Sequence, residues 1–139
     1  MPHEDGGAYS NVVATVSLGA PIVLDLWEKS TDEEGQQKGR GRPRHRILQE
    51  ERSLLITKGE AYEVLLHGIS ERHRDVGLKE GSGGELGDDE CEQPAINWEL
   101  LGDKEAFVDG VLQRKTRVSL TFRDVLKVSK MGQKLFGKR

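Results

Sequence analysis

The stretch that decides the fold is "NVVATVSLGAPIVLDLW", residues Asn11–Trp27. Its first part, Asn11–Leu18, is rich in β-branched residues, and its last part, Ile22–Trp27, alternates apolar and polar residues after the first pair. The tripeptide Gly-Ala-Pro separates the two parts. Because β-branched residues favour strands and glycine and proline interrupt them, the stretch predicts the two strands of a hairpin.

The segments downstream of this stretch predict more short strands and very little helix. "RILQE" (Arg46–Glu50) and "SLLITKG" (Ser53–Gly59) have the pattern of a second hairpin. "EAYEVLLHGI" suits a helical turn that ends by presenting His67, and "TRVSLTFR" (Thr116–Arg123) predicts a strand, with "VLKVS" close behind it. Six or seven short antiparallel strands predict a mostly β fold, a sandwich or a double-sheet jelly roll, of which the jelly roll needs about eight strands.

Two polar segments predict long solvated loops. Ser30–Arg46 is wholly polar, and Val76–Asp103 is rich in Gly, Asp and Glu and has no periodicity. Charged residues make up 32% of the chain and apolar residues 35%, which indicates either that part of the chain is disordered or that the core is small. The sequence predicts one domain over residues 1–130, with flexible loops at about 30–46 and 76–106, and a basic tail over 131–139.

Cysteine usage and hydropathy limit the compartments that the chain can occupy. Cys91 is the only cysteine, which excludes an internal disulfide and favours the nucleus and the cytoplasm. No apolar run is long enough to cross a bilayer, so a membrane is not an expected partner. Between Arg114 and Arg139 nine basic residues face one acid. This asymmetry indicates either a solvated face or a basic edge that meets a polyanion.

His3 and Asp5 form an H-x-D pair close to the first residue. On a strand, side chains two residues apart share a face, so both can point at one ion. His67 would complete a set of two histidines and one carboxylate, which suits iron(II). A second H-x-D pair, within His73–Asp75, has no later histidine, and its "HRD" lacks the other protein-kinase motifs, so it is interpreted as surface charge.

The strand "TRVSLTFR" places four polar side chains on one face and three apolar side chains on the other. Because a buried guanidinium needs a partner, an interior polar face would favour a dicarboxylate ligand. The alternative is an edge strand whose polar face is wet. The polar set consists of Arg117, Ser119, Thr121 and Arg123.

These motifs, in this order, resemble the iron(II)- and 2-oxoglutarate-dependent dioxygenases of the AlkB family. The segments "PHEDG", "TVSLG", "VLDLWE", "RSLLITKGEAY", "LLHGI" and "TRVSLTFR" carry the resemblance, which covers about residues 1–76 and 107–130. It implies a double-stranded β-helix, the cupin-like jelly roll. It also implies that iron is held by His3, Asp5 and His67, and that 2-oxoglutarate is bound by Arg117, Ser119 and Arg123. Ser119 stands where most of the family has asparagine.

The resemblance implies oxidative demethylation of alkylated RNA or DNA, with iron(II), 2-oxoglutarate and O₂. The sequence leaves the oligomeric state open, with a monomer as the expectation. In that family further strands precede the H-x-D pair, so an N-terminally incomplete jelly roll is expected. This leaves an alternative, a catalytically silent fragment that acts as a nucleic-acid-binding module. Its contact would be the loop Lys38–Arg46, "KGRGRPRHR", which is similar to an AT-hook core or is simply a basic loop. The candidate contacts are Arg40, Arg42 and Arg44.

Overall fold

The computed structural model describes residues 1–7, 9–31, 37–38, 42–82 and 93–125. Within these ranges the chain is mostly β and its sheets are antiparallel, which confirms the predicted fold class. Two 3₁₀ helices lie at Trp98–Leu100 and Lys104–Phe107. The other elements are β1 (Tyr9–Ser17), β2 (Ile22–Glu28), β3 (Ser30–Thr31), β4 (Gln37–Lys38), β5 (His45–Gln49), β6 (Leu54–Lys58), α1 (Glu60–Glu63), β7 (Leu65–Gly68), β8 (Arg74–Asp75), β9 (Leu112–Gln113) and β10 (Ser119–Val125).

Among the described residues, six strands have four or more residues, and they form two three-stranded sheets. The first has the order β10-β1-β6 and the second the order β5-β2-β7, and β3-β4 and β8-β9 are short pairs. The predicted strands of Asn11–Trp27 are present, but the prediction that they pair with each other is wrong, because β1 and β2 lie in different sheets. The second predicted hairpin is wrong for the same reason, since β5 and β6 are also in different sheets.

The link between β1 and β2 shows why no hairpin forms there. It passes so close to the segment before β10 that a Cβ on Gly19 would lie 2.7 Å from the backbone nitrogen of Val118. The backbone nitrogens of Leu18 and Gly19 both donate to the Val118 carbonyl, at 2.8 and 3.1 Å. The link therefore carries the chain from one sheet to the other, and β2 obtains its neighbours from β5 and β7.

The hydrophobic core lies behind the second sheet and includes residues from the predicted flexible loop. Val23 of β2 and Leu48 of β5 pack there against apolar residues that follow β8. The prediction of a flexible loop over residues 76–106 is therefore wrong for its buried members, which supply the cover that this sheet needs. The covering residues are Leu78, Ala95, Leu101, Phe107 and Leu112, with Trp98 packed against them.

A short stretch of the same covering layer also protects the free edge of β5. The Asn97 side chain accepts from the Leu48 backbone nitrogen at 3.0 Å and donates to the Leu48 carbonyl at 2.8 Å. The Ile96 nitrogen donates to the Arg46 carbonyl at 2.9 Å. A covered edge cannot pair with another chain, so this contact protects the sheet as well as holding the covering layer.

Charged side chains are buried among these layers. Asp25 and Arg46 are direct cross-strand partners of β2 and β5, both fully buried, with the Arg46 Nε and the Asp25 Oδ1 3.5 Å apart. Asp75 lies 3.4 Å from Arg46 and accepts two hydrogen bonds of 2.7 Å from Arg114. The interpretation of "HRD" as surface charge is therefore wrong for Asp75, because arginines from two other segments converge on its carboxylate.

The predicted loop Ser30–Arg46 ends earlier than expected. β5 begins at His45, and Pro43 and Arg46 are buried, so the wholly solvated interpretation is wrong at Pro43 and Arg46, whereas Arg44 between them is exposed. The expected tail over 131–139 and the segment "VLKVS", apart from Val125, lie outside the described residues, as do Cys91 and Arg40. Among the described residues no helix is long and apolar enough to cross a membrane.

Candidate metal centre and co-substrate cavity

His3 and His67 are brought together by the backbone. His67 lies on β7, and His3, which precedes β1, exchanges two backbone hydrogen bonds of 2.9 Å with it. Residues that exchange both bonds in an antiparallel pair place their side chains on the same face. The two imidazole ring centroids are accordingly 4.5 Å apart. The helical turn α1 precedes β7 as expected, but His67 itself lies in a strand that β2 pairs with.

Asp5 completes a group of three candidate metal ligands. His3, Asp5 and His67 each offer one ligand atom, and these atoms all lie within 4.8 Å of one another. The Asp5 carboxylate also forms a salt bridge of 2.8 Å with Arg123 of β10. His3 and Asp5 do not lie on a regular strand, as the sequence interpretation assumed. His3 makes only an isolated bridge, and this bridge is what places it on the same face as His67.

The electrostatic surroundings keep His67 neutral. Burial lowers the pKa of His67 below its ordinary value of 6.5, and the neighbouring His3 and Arg123 lower it further, against an opposing effect of Asp5. A neutral imidazole is the form that binds a metal ion. The site therefore presents a metal-binding form of His67 at neutral pH without prior loss of a proton.

A cavity of about 360 Å³ lies between the two sheets, and the three candidate metal ligands line it. The polar face of β10 lines the same cavity. Register explains its lining, because Ser119, Thr121 and Arg123 are the direct partners of Ser17, Thr15 and Val13 on β1. β10 is an edge strand among the described residues, yet its polar face lines an internal space. The predicted residues that line this cavity are His3, Asp5, His67, Arg117, Ser119, Thr121 and Arg123.

Arg117 is held in this cavity by neutral partners. Its Nη1 donates to Ser119 Oγ at 2.9 Å, and its Nη2 donates to Ser17 Oγ and to Gln49 Oε1, each at 3.2 Å. Burial lowers the pKa of Arg117. No carboxylate of the described residues forms a salt bridge with it, and its buried Nε has no hydrogen-bond partner there. This leaves a positive charge in the cavity that a carboxylate ligand would neutralise.

Gln49 and Ser17 are site residues that the sequence interpretation missed. Both are buried, and both lie on strands whose pairing was predicted wrongly. Ser17 occupies the same face as Val13 and Thr15, which alternation along β1 could have shown. Gln49 is a polar residue at the end of the apolar run Ile47–Leu48, and only the arrangement of the two sheets brings it to Arg117.

These residues fit the metal and co-substrate that the sequence predicts. Two imidazoles and one carboxylate are a donor set that suits iron(II) and leaves positions open for other ligands. The orphaned Nε of Arg117 and its missing counter-charge match a carboxylate that binds through two hydrogen bonds.

The predicted nucleic-acid contacts differ in their surroundings. Arg40 lies outside the described residues, and Arg42 is exposed. Arg44 lies immediately before β5, with its Nη1 3.0 Å from Glu60 and 3.7 Å from Glu28. Two nearby carboxylates already compensate the charge of Arg44, so Arg42 is the better placed of the two to meet a phosphate.

Comparison with known proteins shows similarity to a demethylase-like relative. No family model matches the chain. The chain is 32% identical to the Danio rerio protein named "Probable RNA/DNA demethylase ALKBH6" over 130 residues. The aligned residues cover 92% of this chain and 48% of that protein. The chain therefore spans about half the length of the curated relative that it matches.

Proposed function

We propose, because this chain is related to the AlkB family, that it acts as an iron(II)- and 2-oxoglutarate-dependent dioxygenase on N-methylated nucleic acid. The observation that carries the proposal is the meeting of two groups in one cavity. His3, Asp5 and His67 converge within 4.8 Å, and Arg117, with no carboxylate partner among the described residues, lines the same space. Each group alone has a structural explanation, but their combination matches the needs of a metal with a carboxylate co-substrate.

In the proposed mechanism the chain's residues bind and orient the reactants. His3, Asp5 and His67 would hold iron(II), which together with 2-oxoglutarate and O₂ supplies the oxidation of a methyl group. Arg117 would pair the distal carboxylate of 2-oxoglutarate through its fork of N–H donors. Arg123 lies 2.8 Å from Asp5 and would fix the orientation of the Asp5 carboxylate. Fixing all of these groups before the reaction removes much of its entropic barrier.

The size of the cavity indicates where the nucleotide would contact the protein. At about 360 Å³ the space is near the lower limit for ligand pockets, which run from about 300 to about 1,000 Å³. This volume suits a small dicarboxylate better than a dicarboxylate together with a nucleobase. We therefore infer that the methylated base approaches at the mouth of the cavity, beside the exposed His3.

The experiment that tests the proposal measures both metal binding and turnover. Purified chain is supplied with iron(II), 2-oxoglutarate and O₂, and succinate and formaldehyde are measured with methylated RNA and DNA oligonucleotides. His67→Ala should abolish iron(II) retention and both products, whereas His73→Ala, which alters an exposed histidine of the second H-x-D pair, should change neither. Equal iron(II) retention by the wild type and by His67→Ala would contradict the proposed metal site.

A second candidate is a catalytically silent nucleic-acid-binding module. It rests on the exposed Arg42 in the basic segment Lys38–Arg46. Salt-sensitive binding of an oligonucleotide without formation of succinate would support this module and contradict the dioxygenase.

A further inference from the structure

We propose that Gln49 makes the Arg117 site selective for a carboxylate ligand. In this role its amide oxygen orients the guanidinium without neutralising it, and its amide nitrogen offers one more donor to the bound carboxylate. Gln49 is a positioning residue with respect to Arg117 and a binding residue with respect to the ligand. The inference rests on the function proposed above, in which that ligand is 2-oxoglutarate.

The orientation of the Gln49 amide follows from its neighbours. Its Oε1 lies 3.2 Å from Arg117 Nη2 and 3.5 Å from Ser17 Oγ. A guanidinium only donates hydrogen bonds, so the amide group must turn its oxygen toward Arg117 and its nitrogen away from it. Gln49 lines the cavity, and its nitrogen has no hydrogen-bond partner among the described residues. That nitrogen is available to an acceptor that enters the cavity.

The hydrogen bonds of Arg117 leave donors for the same acceptor. A guanidinium has five N–H groups, and three of them point at Ser17, Gln49 and Ser119. The buried N–H of Nε has no partner among the described residues, and a second N–H on Nη1 is also unused. The N–H groups of Arg117 without partners among the described residues and the Gln49 nitrogen are therefore the donors that remain for a bound carboxylate.

Because Gln49 is uncharged, it leaves the positive charge of Arg117 available to an anionic ligand. In the part of the chain that the structure describes, Arg117 has three acceptors, two hydroxyls and one amide, and none of them carries charge. A carboxylate at position 49 would form an internal ion pair at the same distance and would compete with the ligand for the guanidinium. An apolar side chain of equal length would instead leave Arg117 with fewer partners and the ligand with one donor fewer.

These two cases define the experiment. Gln49→Glu keeps the acceptor but adds the charge, and Gln49→Met keeps the volume but removes both amide groups. Gln113→Glu, on the exposed position of β9, is the matched control for the added charge. Binding of 2-oxoglutarate in the presence of iron(II) is measured by anaerobic calorimetry. Binding of iron(II) alone and the midpoint of thermal unfolding are measured beside it.

We expect Gln49→Glu to weaken 2-oxoglutarate binding by about a hundredfold or more, without a fall in the unfolding midpoint, because its new ion pair is internal. Gln49→Met should weaken binding by about tenfold, since it loses a hydrogen bond to a charged group. Gln113→Glu should bind 2-oxoglutarate as the wild type does. Iron(II) binding should stay unchanged in all three variants, because position 49 is not a metal ligand.

The possible outcomes separate this inference from the proposed function. If the wild type binds 2-oxoglutarate and Gln49→Glu, still folded, binds it equally well, the role of Gln49 is overturned and the dioxygenase stands. If the wild type binds no 2-oxoglutarate, both are overturned. Loss of iron(II) binding in Gln49→Glu would indicate a merely structural role and would overturn the inference as well. Should Gln49→Glu unfold, the affinity of Gln49→Met decides in the same way.

Discussion

At the scale of single residues, the two arginines on the polar face of β10 differ in how their charges are compensated. Arg123 has the Asp5 carboxylate at 2.8 Å, whereas the acceptors of Arg117 are all neutral. Their spacing in the sequence assigns both to one ligand, but the structure gives them different partners. Arg123 links the candidate metal ligands to the sheet, and Arg117 is left with an uncompensated charge for an anion.

Replacement of Arg117 tests this difference. Arg117→Ala and Arg117→Lys should both weaken 2-oxoglutarate binding, by about tenfold to about a hundredfold, because charge-assisted hydrogen bonds are lost and an ammonium cannot reproduce the fork. Calorimetry measures the effect. Lys115→Ala, which alters an exposed cation two residues away, is the control and should leave the affinity unchanged. Normal affinity in both Arg117 variants would rule out the assigned role.

At the scale of elements, the sequence predicts what is local and misses what is not. β-branching and alternation identify β1, β2, β6 and β10, and alternation correctly assigns the polar face of β10 to one side. The partner of each strand depends on residues far away in the chain, so both hairpin predictions fail. Asp75 fails for a similar reason, since no local pattern separates a carboxylate that will meet buried arginines from one that stays in water.

The buried carboxylate of Asp75 gives a prediction for stability. Asp75→Asn should lower the free energy of unfolding by about 3–5 kcal/mol, because it removes the charge of the carboxylate that Arg46 and Arg114 share. Arg46 then keeps the Asp25 carboxylate, at 3.5 Å. Urea unfolding followed by circular dichroism measures the change. Asp109→Asn, at an exposed carboxylate, should have no measurable effect. Equal midpoints for the two variants would mean that the charge of Asp75 contributes nothing to the fold.

The layer behind the second sheet gives a second prediction at this scale. Leu78 is fully buried there, while Leu100 of the same polar region is 83% exposed. Leu78→Ala should cost about 2–5 kcal/mol of stability, and Leu100→Ala about 0.5 kcal/mol or less. Thermal or urea unfolding distinguishes them. Two equally small losses would restore the interpretation of this region as a flexible loop.

At the scale of the whole molecule, the net charge and the local concentration of basic residues lead to opposite expectations for a polyanionic partner. The net charge of −3 would repel a nucleic acid at long range, yet basic residues are concentrated in Lys38–Arg46 and after Arg114. In the first of these segments Arg44 is compensated by Glu60 and Glu28, while Arg42 is exposed. We therefore expect association with nucleic acid to depend on a few arginines and not on net charge.

The double variant Arg40→Glu with Arg42→Glu tests this expectation. It should reduce oligonucleotide affinity at low salt and flatten the dependence of affinity on salt concentration. The reason is that binding with fewer phosphate contacts releases fewer counterions from the nucleic acid. Fluorescence anisotropy over a salt series measures both effects. Arg52→Glu is the control, since Arg52 is also an exposed arginine but lies in the turn between β5 and β6, outside the basic segment. An unchanged salt slope in the double variant would show that this segment is not part of the interface.

The base composition of the duplex tests how these arginines bind. A preference for A·T-rich over G·C-rich duplex, abolished by the double variant, would assign the arginines to the minor groove, whereas equal binding to both duplexes would assign them to phosphates alone.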